Sequence, residues 1–137
     1  MNVTDYCVAD PAKVQLTASV AEAIQAMLDR RMGAAAVVDE NGVVAGIFTE
    51  RDVMRRVALS GRDPHTIPVR EVMTTPVVMA TRETGIAEAL QTMVEHRRRH
   101  LPVVEDDGRL IGILSIRHVL ERKVDELTRQ LQESIHA

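Results

Sequence analysis

The chain has 137 residues, 45% of them hydrophobic and 27% charged, which fits one compact globular domain with a core of its own. A net charge of -3 argues against general nucleic-acid binding, which needs a broad basic surface, and the absence of Trp leaves little aromatic surface for stacking bases. The single cysteine, Cys7, excludes an intrachain disulfide, and no apolar run approaches the length of a membrane span.

These features predict a cytoplasmic protein. Residues Met1 to Asp10 lack the basic and apolar regions of a signal peptide, and a lone cysteine suits a reducing compartment. We therefore expect neither a membrane nor nucleic acid among the partners.

The first part of the chain predicts a lead-in, a strand and a helix. Val3–Val8 is expected to form a short helical lead-in, and Val14–Leu16 a short strand. Ser19 and Glu22 then form an S-x-x-E capping box, which satisfies free amides at a helix start. The apolar residues that follow are spaced for one helix face, and Gly33 is expected to end this helix.

A hairpin and a second helix complete this unit. Ala34–Val38 is a fully apolar strand, and the turn after it carries the Asn41-Gly42 hairpin signal. Val43–Phe48 returns as the partner strand, and a helix is expected from Thr49 to about Leu59. The predicted order is strand, helix, strand, strand, helix.

The rest of the chain repeats that order. A linker rich in Gly and Pro separates two similar units, so the predicted organisation is residues 1–60, linker 61–68, residues 69–124 and a C-terminal extension 125–137. The second unit is expected to have strands Val77–Thr81, Leu101–Glu105 and Leu110–Leu114, a helix Ile86–His96, and a last helix starting near Ile116. The predicted fold class is α/β (α+β), with two pseudo-symmetric β-α-β-β-α repeats packed as one module.

One short phrase occurs twice and establishes the duplication. Gly46–Asp52 and Gly112–His118 each contain a glycine, two apolar residues, a hydroxyl, two spacers and a polar side chain, and they lie 66 positions apart. At this offset, 15 of the 54 positions from 3 to 56 are identical to their partners without a gap. The chain is a tandem duplication, and functional asymmetry is expected where the copies disagree.

The last helix continues beyond the end of its counterpart. An apolar stripe runs along it at steps of four, three, four and four residues, at Leu120, Val124, Leu127, Leu131 and Ile135. A helix of about 20 residues spans roughly 30 Å, which is more than one small repeat covers. The stripe therefore packs either on its own domain or against a second subunit.

The repeat, with G-h-[ST]-x-x-D closing its last strand, resembles the cystathionine β-synthase (CBS) domain, and two in tandem resemble a Bateman module. Val69–Val77 is similar to the typical lead-in, and His100–Val104 to the first hairpin strand. The resemblance covers residues 3 to about 124. It implies a regulatory module that binds adenine nucleotides or related ligands in clefts between the copies, usually as a dimer. The sequence has no nucleophile elbow, no Walker-type loop and no CxxC pair, so we expect no enzymatic activity.

The repeated phrase also suggests how a ligand would be held. Free amides at the helix start after Thr49 can hold a phosphate, and the Asp52 carboxylate can accept hydrogen bonds from both ribose hydroxyls. Thr49-x-x-Asp52 is equally a capping box, so a structural role stands beside this one. By the resemblance, Arg99 and His100 supply the phosphate-binding side, although Arg97–Arg99 also fits an exposed, solvated helix end.

The two copies differ at these positions, which predicts one competent and one degenerate site. The competent site combines Thr49 and Asp52 with Arg99 and His100, and the resemblance places the adenine against Val77, Val78 and Met79 with Ile47 behind. In the degenerate site, His118 replaces the carboxylate. Its members are Gly33, Ala34, Ser115 and His118.

The predicted function is a stand-alone sensor that needs no obligatory cofactor. An adenosyl ligand (AMP, ADP, ATP or S-adenosylmethionine) would act as the regulatory signal, and the output would pass through a homodimer or an unidentified protein target. One alternative is a ligand-free dimerisation or adaptor module. Another is a metal-binding dimer using His96 and His100, if both lie on the helix, with Cys7.

Overall fold

A computed structural model describes residues 1–136 of the chain, and it confirms the predicted fold class. The first copy contains β1 (Lys13–Gln15), α1 (Val20–Arg30), β2 (Ala34–Val38), β3 (Val44–Thr49) and α2 (Glu50–Asp52), preceded by a 3-10 turn at Val3–Asp5. The second copy contains α3 (Val69–Val72), β4 (Ala80–Thr81), α4 (Ile86–His96), β5 (His100–Val104), β6 (Leu110–Ser115) and α5 (Ile116–His136).

Each copy builds a three-stranded sheet with the same topology. β1 pairs in parallel with β2, and β2 pairs antiparallel with β3; β4, β5 and β6 repeat this arrangement. Both hairpins contain an irregularity at the same place, between Val37 and Val38 in one and between Val103 and Val104 in the other. The duplication seen in the sequence is therefore also a duplication of strand register.

The end of α1 differs from the prediction. The helix ends at Arg30 and its cap is Arg31, which adopts the left-handed conformation (φ 52°), whereas Gly33 was expected to end it. The amide of Arg31 bonds to the carbonyls of Met27 and Leu28, as in common C-terminal caps. Arg97 caps α4 in the same way with φ 54°. An arginine occupies this position in both copies, so glycine was a misleading signal here.

Two other elements are shorter than predicted. The helix expected from Thr49 to Leu59 is regular only over Glu50–Asp52 and continues as a π turn at Val53–Val57. The strand expected at Val77–Thr81 comprises only Ala80–Thr81, because the preceding residues cross from one sheet to the other. Thr74 still pairs with Ile47 of the first copy. The residues between Thr74 and β4 are therefore not paired in either sheet.

The lead-ins of the two copies are exchanged. Val3 and Tyr6, from the start of the chain, are fully buried in the core of the second copy, while Ile67, Val69 and Val72 belong to the core of the first. The exchange is fixed by backbone bridges, in which Val8 bonds to Ile113 and Thr74 bonds to Ile47. Neither copy can therefore complete its core without the other.

The repeated glycines make room for these crossings. A Cβ atom on Gly112 would lie 2.5 Å from the carbonyl oxygen of Val8 and 2.9 Å from the sulfur of Cys7. A Cβ atom on Gly46 would lie 2.3 Å from the sulfur of Met73, which is the counterpart of Cys7. The glycine of the repeated phrase is thus required by the close approach of the crossing segment rather than by an unusual φ.

An arginine at equivalent positions fastens each exchanged lead-in. Arg56 donates to the carbonyls of Val72 and Met73 at 3.1 and 3.0 Å. Its counterpart Arg122 donates to the carbonyl of Asp5 and lies over the Tyr6 ring, 4.6 Å from its centroid. This shared contact explains why both copies have an arginine at this position.

The last helix leaves the body of the molecule. Of its residues, only Val119 is buried, and the side chains of the predicted stripe are 58–77% exposed. Its own domain therefore does not cover the stripe. Among the described residues, no helix is both long and apolar enough to cross a membrane.

We expect Gly112→Ala to lower the free energy of unfolding by about 1–3 kcal/mol, because the new methyl group meets a backbone oxygen that cannot move alone. Gly46→Ala should cost less, since its neighbour is the flexible end of Met73. Urea unfolding measures both variants, and equal losses at Gly112 and Gly46 would contradict the packing explanation.

Candidate functional site

A groove of about 950 Å³ lies between the two copies. It is bounded by the end of α1 and the turn into β2, the beginning of β5, and the junction of β6 with α5. Its lining residues are Val8, Arg30, Arg31, Met32, Gly33, Glu50, Arg99, His100, Ser115, Ile116, Arg117, His118, Leu120, Glu121, Val124 and Asp125. Both copies contribute to it, as expected of an inter-repeat site.

The hairpins bring these residues together at their open ends. In the second copy His100 pairs with Ser115, and the amide of Ile116 bonds to the carbonyl of Arg99. In the first copy the amide of Glu50 bonds to the carbonyl of Gly33 in the equivalent way. Each hairpin therefore holds the start of its first strand beside the end of its second, where a helix begins.

Gly33 allows these two open ends to approach each other. A Cβ atom there would lie 3.2 Å from Cε1 of His100 and 3.1 Å from Cδ of Glu50. These distances are tighter than usual contacts, so a larger side chain would push His100 or Glu50 aside. The role of this glycine is to give space at the groove, not to end α1.

The groove carries basic groups from both copies, and several are already engaged. Arg30 pairs with Asp10 at 3.3 Å. Arg117 donates to the carbonyl of Arg31 at 2.7 Å and lies 3.7 Å from a carboxylate oxygen of Glu121. For the guanidinium of Arg99, by contrast, the described part of the chain provides no ion pair.

His100 lines the groove and is partly buried. Burial lowers the pKa of its imidazole below the usual 6.5, and the charges of Arg117 and Arg99 lower it further, while Glu50 opposes them. The ring is therefore held towards its neutral form. A bound anion would favour the protonated ring, since it would offset the repulsion from the two arginines.

Thr49 and Asp52 do not line this groove. They form a reciprocal capping box, in which the Asp52 amide donates to the Thr49 hydroxyl at 3.2 Å and the Thr49 amide donates to Asp52 Oδ2 at 3.0 Å. The Thr74 hydroxyl donates to Asp52 Oδ1 at 2.9 Å, and Arg56 lies 3.9 Å away. The buried carboxylate thus ties the second lead-in to α2.

The equivalent place in the second copy lacks this network. His118 stands at the position of Asp52, and Val8 stands at that of Thr74, so neither a carboxylate nor a hydroxyl is present. Instead, His118 and Ser115 face the groove, together with Val8. The two copies therefore differ at this place. The second copy contributes to the groove, and the first has a buried, hydrogen-bonded carboxylate.

The structure divides the predicted site residues into two groups. Gly33, Arg99, His100, Ser115 and His118, drawn from both predicted sites, line the same groove. The residues not among its lining are Ile47, Thr49, Asp52, Val77, Val78 and Met79 from the competent set and Ala34 from the degenerate set. Ala34 is buried in β2, Ile47 bridges to Thr74, and Val77–Met79 precede β4.

Several residues that line the groove were not predicted from the sequence. Arg117 was a spacer in the repeated phrase, and Leu120 and Val124 were assigned only to the apolar stripe. The signal for Arg117 was available, because Arg51 is its identical counterpart in the first copy. For Arg30, Arg31 and Glu50 no local pattern indicated a site.

The helical His pair proposed as a metal ligand set is not formed. α4 ends at His96, the chain turns at Arg97, and His100 lies in β5, so helical spacing does not apply to them. Within residues 1–136 no group of three or more His, Cys, Asp or Glu side chains is arranged to hold a metal ion.

We expect the stability of the protein to decrease as the pH falls through about 6.5. Since the folded state lowers the pKa of His100, the unfolded chain binds more protons below that pH, and the free energy of unfolding falls. His100→Gln removes this contribution, so its stability should change less over the same range. Urea unfolding between pH 5 and 8 tests this, and identical pH profiles for both proteins would contradict it.

Comparison with known proteins gives a consistent result. Residues 3–59 and 69–125 each match the family model of the CBS domain. The CBS domain-containing protein YhcV of Bacillus subtilis is 36% identical over 115 residues, which cover 84% of this chain and 80% of the relative. Other curated relatives are longer, and this chain spans 64% and 57% of the length of two of them.

Three solved structures share the fold. Hypoxic Response Protein I with two coordinated zinc ions has a TM-score of 0.78 and 25% identity, covering 88% of this chain and 98% of that one. The cytosolic domain of the Mg²⁺ channel MgtE in complex with ATP has a TM-score of 0.72 and 26% identity, covering 88% and 48%.

The third is the CBS domain pair of protein MJ0100 in complex with 5′-methylthioadenosine and S-adenosyl-L-methionine. It has a TM-score of 0.81 and covers 92% and 98%, and its 22% identity supports the fold alone. Two exchanged repeats, each matching the same family model, therefore show that this chain belongs to the CBS domain family and is a tandem CBS pair.

Proposed function

We propose that this CBS pair is a regulatory protein that binds an adenine nucleotide or a related adenosyl ligand between its repeats. The observation that carries the proposal is the groove of about 950 Å³, which has basic groups and apolar walls from both copies. Pockets for small ligands and cofactors commonly have about 300–1,000 Å³. Ligand binding would be transmitted through a subunit or partner interface rather than through catalysis.

The phosphate end of such a ligand would meet the basic groups that line the groove. Arg99 and His100 of the second copy and Arg31 of the first all line this space. An anion between them would join the two copies and offset the repulsion that lowers the pKa of His100. This supports the predicted phosphate role of Arg99 and His100.

The uncharged part of the groove lining suits an apolar ring. Val8, Met32, Ile116, Leu120 and Val124 line the groove without charge, and the chain offers no tryptophan to stack on a base. Aliphatic side chains would therefore form the contact with the adenine, as the composition predicted.

We also propose that Asp52 binds the ribose, although the existing hydrogen bonds of its carboxylate limit how it can do so. The carboxylate already accepts bonds from Thr49 and Thr74, so a ribose would have to use its remaining lone pairs or displace the Thr74 hydroxyl. The resemblance places the adenine on the side of Asp52, near Ile47 and Val77–Met79. The two placements share Arg99 and His100 and differ in whether Asp52 contacts the ligand.

The similar proteins support the ligand class. The MgtE cytosolic domain, at 26% identity, was solved with ATP. We extend only the ligand class to this chain, because the relative is longer and its channel activity belongs to the whole protein. The alternative of a ligand-free adaptor is favoured by one observation, the exposed stripe of α5.

We expect ATP to bind the wild-type protein saturably, and Arg99→Ala to weaken this binding by about 10- to 100-fold, as loss of a charge-assisted contact costs about 1.5–3 kcal/mol. Arg98→Ala is the matched control, since Arg98 is an exposed neighbour that does not line the groove. Isothermal titration with ATP, ADP, AMP and S-adenosylmethionine provides the measurement. Failure of the wild type to bind any of them would reject the proposed ligand class.

A second titration decides the role of Asp52. If this carboxylate binds the ribose hydroxyls, the wild type should prefer ATP over 2′,3′-dideoxy-ATP by about 5- to 100-fold, and Asp52→Asn should lose that preference. Thr74→Val is the control, because it removes the hydroxyl that bonds to Asp52 without removing the carboxylate. An unchanged preference in folded Asp52→Asn would leave Asp52 with its capping role alone.

A further inference from the structure

The beginning of α5 has polar groups that no other part of the described chain engages. Ser115, the residue before this helix, is only 9% exposed and lines the groove, and its hydroxyl makes no hydrogen bond within residues 1–136. In that range, no side-chain oxygen or nitrogen that is closed off from solvent lacks a partner, so the Ser115 hydroxyl reaches the groove. A buried polar group placed in this way is available to a ligand.

The first copy uses the equivalent groups within the protein. The Thr49 hydroxyl accepts a hydrogen bond from the Asp52 amide and donates one to Asp52 Oδ2, each at 3.2 Å. The Thr49 amide donates to the same oxygen at 3.0 Å, so this carboxylate occupies the start of α2. At the start of α5, His118 replaces Asp52. Within the described chain, the imidazole of His118 forms no hydrogen bond, and it cannot act as the missing anion.

A helix start of this kind attracts an anion. α5 has 21 residues, and the first amides of such a helix carry partial positive charge. The amide of Ile116 donates to the carbonyl of Arg99, whereas among residues 1–136 no side chain caps the next amides. The Ser115 hydroxyl and the imidazole of His118 can both donate to an oxyanion at this point.

The acidic residues of the groove lining do not fill that position. Glu121 lies 3.7 Å from Arg117. Asp125 is about 10 Å further along the helix axis than His118, and Glu50 belongs to the first turn of α2. Among residues 1–136, none of these carboxylates accepts a hydrogen bond from a backbone amide at the start of α5.

The exchange of aspartate for histidine changes which ribose substituent suits this position. A carboxylate accepts hydrogen bonds from free ribose hydroxyls, whereas an imidazole beside a hydroxyl and free amides donates to an anion. Dinucleotide-binding proteins differ in the same way, because an acidic residue holds a free ribose hydroxyl and a basic residue accommodates a phosphate there. The groove therefore has a place for an anion at the start of α5, in addition to Arg99 and His100.

We propose that the groove binds an adenine nucleotide whose ribose itself carries a phosphate at the 2′ or 3′ position, with that phosphate held by Ser115, His118 and the first free amides of α5. The inference rests on the proposed function, in the placement in which Asp52 does not contact the ligand. The 5′-phosphate remains with Arg99 and His100, and the adenine remains with the aliphatic lining. The ribose then joins two anionic groups, each held at its own part of the groove.

Isothermal titration of the full chain tests the choice of ligand. Adenosine 2′,5′-bisphosphate and adenosine 3′,5′-bisphosphate are compared with ADP, which has the same number of phosphates but carries both at the 5′ position. We expect one of the two bisphosphates to bind about 10- to 100-fold more tightly than ADP, because its ribose phosphate gains charge-assisted hydrogen bonds. The better bisphosphate identifies the ribose position.

Two other outcomes of this titration are distinct. If ADP binds as tightly as both bisphosphates or more tightly, the ribose phosphate is not recognised, and this inference is overturned while the proposed function stands. If neither bisphosphate binds, and ATP, ADP, AMP and S-adenosylmethionine also fail to bind, the proposed function is rejected together with the inference.

The substitution His118→Asp should reverse the preference. It rebuilds the capping box of the first copy at the start of α5, so the helix should stay folded, and the new carboxylate would repel the ribose phosphate. We expect the better bisphosphate to lose at least tenfold in affinity, and ADP to lose much less. Gln132→Asp is the matched control, because it adds the same charge to an exposed part of α5 outside the groove lining. A preference that survives in His118→Asp would overturn the proposal.

The substitution Ser115→Ala tests the unused hydroxyl. We expect it to weaken binding of the better bisphosphate about tenfold and to leave ADP binding nearly unchanged. Thermal unfolding provides the control for folding, since a hydroxyl without a partner in the protein should be removable without loss of stability. An equal loss of affinity for both ligands, or no loss for the bisphosphate, would contradict the placement of the ribose phosphate beside Ser115.

Discussion

The exchange of lead-ins is the constraint on which the rest of the structure depends. The backbone bridges between Val8 and Ile113 and between Thr74 and Ile47 require a glycine beside each crossing, and Arg56 and Arg122 fasten the crossing segments. Because each core contains residues of the other copy, the repeats fold as one unit. The space between their hairpins is therefore defined closely enough to form a groove.

Divergence after duplication has given the two sides of the module different properties. On one side Asp52, Thr49 and Thr74 satisfy one another, and the buried carboxylate stabilises the start of α2. On the other, His118 and Val8 cannot form that network, and the space is lined instead by basic and apolar groups.

Helix α5 joins the groove to the molecular surface. Arg117 connects the first turn of α5 to the end of α1, and Leu120 and Val124 belong both to the groove and to the exposed stripe. A ligand that contacts this helix can shift an interface only through its different affinity for the two arrangements.

The sequence by itself determined the duplication, the order of strands and helices, and the family, because hydrophobic periodicity, hairpin turns and the repeated phrase are local signals. It also indicated Arg99, His100 and His118 as polar groups near the ends of strands. Only the tertiary structure decided that Arg31 rather than Gly33 caps α1, that Val77–Met79 lie between sheets, and that His100 shares a groove with His118 rather than with Asp52. These outcomes depend on the exchange of lead-ins and on how the two hairpins face each other. Such contacts join residues far apart in the chain, so they produce no periodic pattern in the sequence.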